Sequence, residues 1–258
     1  MLRKRAGSFL GGAARRAKND IDTDDDFCGT IPSDTEAALQ YIESTYPPEL
    51  KASLPRISLK HQVYAVVDDK TVVDRELERL QQENKIRLFK LSTGPDDYAV
   101  ISVRILKAHL QSVTHEDSRE TVDRFFARVL SSHNDVAISK RTLSCEKGFT
   151  ERDVSRLIAC GLLTVQDVGS YWISIPGLGL FMRYFVRGRD TVLRTLRKTK
   201  YNEMMQSELE VRKLATCKLG TKFHVLDLIG AELVTCVETT SGSLLHLNLA
   251  HEKNARRS

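Results

Sequence analysis

Between residues 183 and 200 the sequence places Arg183, Arg187, Arg189, Arg194, Arg197, Lys198 and Lys200 against a single acid, Asp190. Guanidinium groups present planar pairs of N–H donors that match phosphate oxygens, and ammonium groups add point charge. The chemistry open to this set is therefore anion binding along a phosphate backbone. If the stretch is helical, at about 100° per residue, Arg183, Arg187, Arg194, Arg197 and Lys198 fall within roughly a third of the circumference. Phe181, Phe185, Val192, Leu193 and Leu196 lie opposite, so one face packs and the other is cationic. Such a row releases a counterion for each phosphate it neutralises, which makes affinity fall steeply with salt. A helix face that is merely solvated has the same composition. Gly188 leaves open whether the stretch is one helix or two, the second capped by Asp190. Arg212, Lys213, Lys218 and Lys222 follow and extend the cationic set.

Catalytic patterns are missing from the sequence. Phosphoryl transfer needs a phosphate-cradling loop, a lysine, a base and metal-binding acids in recognisable contexts. Gly177 and Gly179 give G-x-G, but Met182 holds the third glycine position. Val136-Ala137-Ile138-Ser139-Lys140 only approaches the kinase strand motif, and Asp26-Phe27-Cys28-Gly29 lies in the amino-terminal segment. No G-x-x-x-x-G-K-[ST], H-R-D or G-x-S-x-G occurs, and the seven histidines show no metal-ligand spacing. The expectation is a protein that is not an enzyme and takes neither metal nor cofactor. His224 is a candidate phosphate contact or a packed residue, and Trp172 is expected in the core.

The elements that must position the cations emerge from a repeat. Three apolar pairs, Leu77 and Leu80, Val154 and Leu157, Val225 and Leu228, recur at intervals of 77 and 71 residues. Six and eight residues after the second anchor come Ile86 and Leu88, Leu163 and Val165, Val234 and Cys236, the two-residue period of a strand leaving a helix. Turn formers follow at 92–97, 167–170 and 239–242, and then second strands at 98–103, 171–175 and 244–247. Upstream, helices are predicted at 35–46 and 59–67, at 121–131 and 136–143, and at 181–200 and 203–212. Three helices followed by a two-stranded wing describe a winged helix, whose third helix ordinarily enters the major groove. The predicted fold is α+β and mostly helical. A tail at 1–30 precedes winged helices at 31–103, 104–176 and 177–250, and a second tail occupies 251–258. Three unrelated pieces of a single domain are the alternative.

Charge is distributed unevenly over these modules. Residues 177–258 hold fourteen Lys and Arg against eight acids, which makes the third module the expected contact with double-stranded DNA, or with RNA. The candidate recognition helix of the first module, 71–84, carries Asp74, Glu76, Glu78 and Glu83 against Arg75 and Arg79. It would repel phosphates, and reads as a protein-facing or simply solvated helix. Two basic clusters in the tail, Arg3, Lys4 and Arg5, then Arg15, Arg16 and Lys18, fit a bipartite nuclear import signal. A solvated tail or a mitochondrial transit peptide fits the same residues. The five cysteines are scattered with no C-x-x-C pair, which suits a reducing compartment. No apolar run approaches the roughly 18 residues of a membrane span, so a soluble protein is expected.

The carboxyl-terminal third also carries a resemblance. Tyr184-Phe185-Val186-Arg187-Gly188-Arg189, Arg197-Lys198-Thr199-Lys200-Tyr201, Asp227-Leu228-Ile229-Gly230-Ala231 and Thr239-Thr240-Ser241-Gly242 resemble the family historically labelled serine/threonine-protein kinase 19, also called winged-helix repair factor. Gln62-Val63-Tyr64, Gly161-Leu162-Leu163-Thr164-Val165 and Gly169-Ser170-Tyr171-Trp172 extend it over roughly residues 31–248. It implies a nuclear DNA-binding protein acting in transcription-coupled nucleotide excision repair at stalled RNA polymerase II. The implied partners are the Cockayne-syndrome ubiquitin-ligase assembly and the TFIIH helicase complex. By the same resemblance Arg183, Arg197 and Arg212 support DNA binding, with Lys198, Lys200 and Lys213 beside them. A serine/threonine kinase with an atypical site and an adaptor that binds protein only are the competing functions. Oligomeric state, a homodimer included, is left open.

Overall fold

The computed structural model describes residues 32–50, 52–91 and 97–248. Helix α1 (Asp34–Ser44) opens the chain on a capping box in which Ser33 and Glu36 satisfy each other's backbone N–H. Then come β1 (Ser58–Leu59), α2 (Lys60–Tyr64), α3 (Lys70–Gln82) and the hairpin β2 (Ile86–Lys90) and β3 (Tyr98–Ser102). The second repeat runs through α4 (Val103–Val113) and α5 (Glu116–Phe125), the latter prolonged by a π-turn at Phe126–Leu130. It continues with β4 (Ala137–Ser139), a further π-turn at Thr142–Glu146, α6 (Glu151–Ala159), β5 (Leu163–Asp167) and β6 (Ser170–Ile173). The third is α7 (Leu178–Arg197), β7 (Glu203–Met205), α8 (Gln206–Val211), α9 (Thr221–Gly230), β8 (Val234–Thr239) and β9 (Gly242–Leu247).

Three antiparallel sheets share one topology, with the last strand in the middle: β1-β3-β2, β4-β6-β5 and β7-β9-β8. Helices leading into a hairpin whose second strand also pairs with a short early strand make a winged helix, here three times over.

The repeat is equally visible in the backbone. Four residues beyond the second anchor of each repeat the chain turns left-handed, at Asn84 (φ 55°), Gly161 (φ 76°) and Glu232 (φ 58°). The next N–H then closes back on the anchor's carbonyl: Lys85 to Leu80, Leu162 to Leu157 and Leu233 to Leu228, at 2.9, 3.0 and 3.0 Å. This is the reversal that ends a helix while satisfying its last carbonyls. It also sets the direction in which each wing departs.

The described chain folds as two compact units. One holds residues 32–45, 61–76 and 188–248, the other 46–60 and 77–187. The second and third sheets each lie whole within one unit, and the first lies within the second unit, while α3 and α7 pass from one unit to the other. In the first unit the interior is formed by Val192, Leu193, Leu196, Met204, Leu209, Val225, Leu228, Leu233, Val234, Leu245 and Leu247.

Several local expectations are corrected. Residues 136–143 and 203–212 each begin as strands, β4 and β7, and Ser58–Leu59 is a strand where a helix is predicted from 59. Strands of two or three residues are too short to show a period of two; pairing to the hairpin edge selects them. Helix α4, whose buried Leu106 and Leu110 stand four apart, is absent from the predicted elements. Trp172 is half-buried on β6 rather than enclosed. The first wing's turn at 92–96, both tails, and the import-signal residues Arg3, Lys4, Arg5, Arg15, Arg16 and Lys18 lie outside the described residues.

Candidate nucleic-acid interface

Helix α7 runs unbroken through Gly188, so the cationic stretch is one helix. Phe181, Phe185, Val192, Leu193 and Leu196 are buried, and Arg183, Arg187, Arg194 and Lys198 are exposed, as the helical period requires, whereas Arg197, expected on the same face, is half-buried. Arg183 and Arg187 precede the point at which α7 changes unit. Arg194, Arg197, Lys198 and Lys200 follow it and stand with Arg212, Lys213, Lys218 and Lys222 in the first unit.

Two contacts hold the loop between α8 and α9 against α7. The hydroxyls of Thr191 and Thr216 are 2.7 Å apart, and the Cys217 Sγ donates to the Gly188 carbonyl at 3.7 Å. Burial pushes that thiol up to about 11, which keeps it protonated and a donor. Thr191 lies three residues before Arg194 and one turn before Thr195, at the border of the cationic face. The loop bearing Arg212, Lys213 and Lys218 is thereby fixed beside the row.

The cations differ in how they are engaged. Among the described residues Arg194, Lys198 and Lys213 have no ion-pair partner. Arg212 meets Glu208 at 2.7 Å, but both side chains are about half exposed, and such a pair is worth little and yields to a phosphate. Lys222 approaches Glu210 at 3.6 Å. Asp190, exposed within the row, is its one local acid between 183 and 200.

Arg189 is a correction. Its Nε and Nη2 donate to both carboxylate oxygens of Asp227 at 2.8 and 2.5 Å, and its side chain is 21% exposed. On the helical wheel it falls with Phe185 and Leu196, away from the row. Asp227, wholly buried on α9, also accepts from His61 Nε2 at 2.6 Å. Burial pushes the Asp227 carboxyl up, but the Arg189 guanidinium and the His61 ring override it and hold the group well below the usual carboxylate range. This is an interior tie joining α2, α7 and α9. His224 is a second correction: it is fully buried against Gly188, where a phosphate cannot reach it. Burial lowers its pKa to about 4, with Asp227 opposing and Arg189 adding to the shift, so the ring is neutral at ordinary pH.

Elsewhere the surface is less basic. The exposed side of α3 balances Asp74 and Glu78 with Arg75 and Arg79, and the third wing's tip carries Glu238 and hydroxyl side chains without a cation. Among the described residues no cluster of His, Cys, Asp or Glu is placed to hold a metal ion, and no helix is long and apolar enough to cross a membrane.

Fold and charge together define a class, a chain of tandem winged helices with a cationic third module. The chain belongs to a known family within it: residues 28–247 match the family described as inactive serine-threonine protein kinase 19. It is similar to winged helix repair factor 1 of Homo sapiens, 37% identical over 239 residues covering 92% of this chain and 94% of that one. The Xenopus laevis protein of the same name is 35% identical over 243 residues, 93% of each chain. A shorter likeness, 36% over 98 residues and about a third of each chain, links it to a Schizosaccharomyces pombe protein named serine/threonine-protein kinase mug51. The word inactive in the family description agrees with the lack of phosphoryl-transfer motifs in this sequence.

Proposed function

We propose that this protein is a non-catalytic DNA-binding protein that acts as a scaffold in transcription-coupled nucleotide excision repair at stalled RNA polymerase II. The observation that carries the reading is the exposed row of Arg194, Lys198 and Lys200, flanked by Arg212 and Lys213 on a loop tied to the same helix. The tie limits the backbone freedom the loop would lose on meeting phosphates, and the summed charge of the cations draws a duplex from a distance. The names of the similar proteins support a part in repair, and the proposal includes the Cockayne-syndrome ubiquitin-ligase assembly and TFIIH as partners and the nucleus as the place of action. The first module, residues 31–103, holds nine Lys and Arg against twelve acids and suits a protein partner better than DNA.

Charge reversal at Arg194 and Lys198 together tests the reading by fluorescence anisotropy on a labelled 20-base-pair duplex. The expected result is a loss of binding of at least tenfold with an unchanged melting temperature. Full binding by the folded variant would refute the assignment of this face. The kinase alternative is tested by incubating purified protein with ATP and Ser/Thr peptides. No turnover is expected, and activity abolished by a single substitution in this chain would overturn the non-enzyme reading.

A further inference from the structure

Tyr201 stands apart from every other described Phe, Tyr and Trp. It is 61% exposed, whereas the rest are buried or half-buried. It follows α7 directly and is flanked in sequence by Arg197, Lys198 and Lys200, with the Lys200 Nζ 5.0 Å from its ring centroid.

The turn that presents it is built rather than loose. The Thr199 hydroxyl donates to the Leu196 carbonyl at 2.6 Å, the Asn202 N–H reaches the Thr199 carbonyl at 3.3 Å, and the Leu247 N–H on β9 donates to the Asn202 carbonyl at 2.9 Å. Asn202 itself is left-handed at φ 56°, a conformation that Asn tolerates better than most residues. The chain thus holds a large apolar ring in water at the end of a cationic row, where burial would ordinarily be favoured.

An aromatic face among cations is the arrangement that receives an unpaired base: the cations follow the backbone and the ring stacks on the base without regard to its identity. Such stacking needs a base outside the double helix, because paired bases hide their faces in the stack. We infer that Tyr201 is a stacking site for an unpaired DNA base, so that the third module prefers a duplex with a locally opened segment over a fully paired one. The inference rests on the DNA-binding reading above and names the form of DNA which that surface selects.

The test compares Tyr201→Ala, Tyr201→Phe, the Arg194→Glu/Lys198→Glu pair and the unaltered full chain, each checked for folding by circular dichroism. The probes are a 24-base-pair duplex, the same duplex with a three-nucleotide mismatched bubble, and an RNA duplex with the same bubble. The unaltered protein is expected to favour the DNA bubble over the paired duplex about fivefold or more, the lower range for one stacked base. Tyr201→Ala should abolish that preference and leave paired-duplex affinity unchanged, while Tyr201→Phe keeps it. Equal affinity for bubble and duplex, or an equal loss on both with Tyr201→Ala, overturns the inference. Tighter Tyr201-dependent binding to RNA than to DNA also overturns it as stated. Should Tyr201→Ala have no effect while the charge-reversed pair still loses binding, stacking fails and DNA binding stands. Absence of binding to every probe by the unaltered protein would remove the underlying reading as well.

Discussion

Asp227 has no exposed atom, and its charge is stabilised there because Arg189 grips both carboxylate oxygens and His61 donates to one of them. Removing one member of such a pair strands the other in the interior, which costs about 3–5 kcal/mol. Arg189→Ala is therefore expected to lower stability by about 3 kcal/mol in urea unfolding. Arg194→Ala, five residues on and exposed, should leave stability within about 0.5 kcal/mol and weaken DNA binding instead. His224 sets a pH dependence. Its folded pKa, about 4, lies below the ordinary histidine value, so on acidification the unfolded chain takes up a proton before the folded one does. Stability is accordingly full above about pH 6.5 and declines as pH falls towards 4, by on the order of 3 kcal/mol. Depressed Asp227 adds its loss only at lower pH, because its stabilisation is present above the unfolded carboxylate pKa and vanishes as pH falls through the folded value. Thermal melts between pH 7 and 4 check this: a decline that His224→Leu makes shallower is expected, and a flat profile would contradict it.

At the scale of elements, Gly188 and Gly230 set how closely helices approach. A Cβ on Gly188 would run into the His224 ring, and one on Gly230 into the His61 carbonyl. Gly188→Ala in α7 removes a poor helix former, yet it is expected to destabilise by about 1–3 kcal/mol through overpacking, measurable in urea melts. Helix α6 starts on a capping box between Thr150 and Asp153, and Thr150→Ala should cost about 1 kcal/mol. The helix before each hairpin, and the hairpin itself, were legible in the sequence because Leu77 and Leu80 and their counterparts stand at helical spacing immediately before a two-residue alternation. Strands β1, β4 and β7 were not, since their identity depends on a hairpin edge distant in sequence. The exposed row was legible for the same reason as the helices. Arg189 needed a partner to explain it, and Asp227 lies 38 residues away; the wheel position of Arg189 was nevertheless a usable signal. Tyr201 carried no such signal, because exposure of a single aromatic follows from the turn beneath it.

Over the whole molecule, charge separates the modules more sharply than fold does. The same strand order recurs in all three sheets, while residues 177–258 hold fourteen Lys and Arg against eight acids and residues 31–103 hold nine against twelve. Winged helices of one topology can therefore face different partners, with surface electrostatics selecting among them. If the row on α7 and the loop beside it bind phosphates, each contact contributes about 0.9 to the slope of log affinity against log salt concentration. The most direct measurement is that slope on a paired duplex, for the unaltered protein and for Arg194→Gln with Lys198→Gln. A steep negative slope that becomes shallower by about 1.8 in the double substitution is the predicted result. Identical slopes for two folded proteins would contradict it.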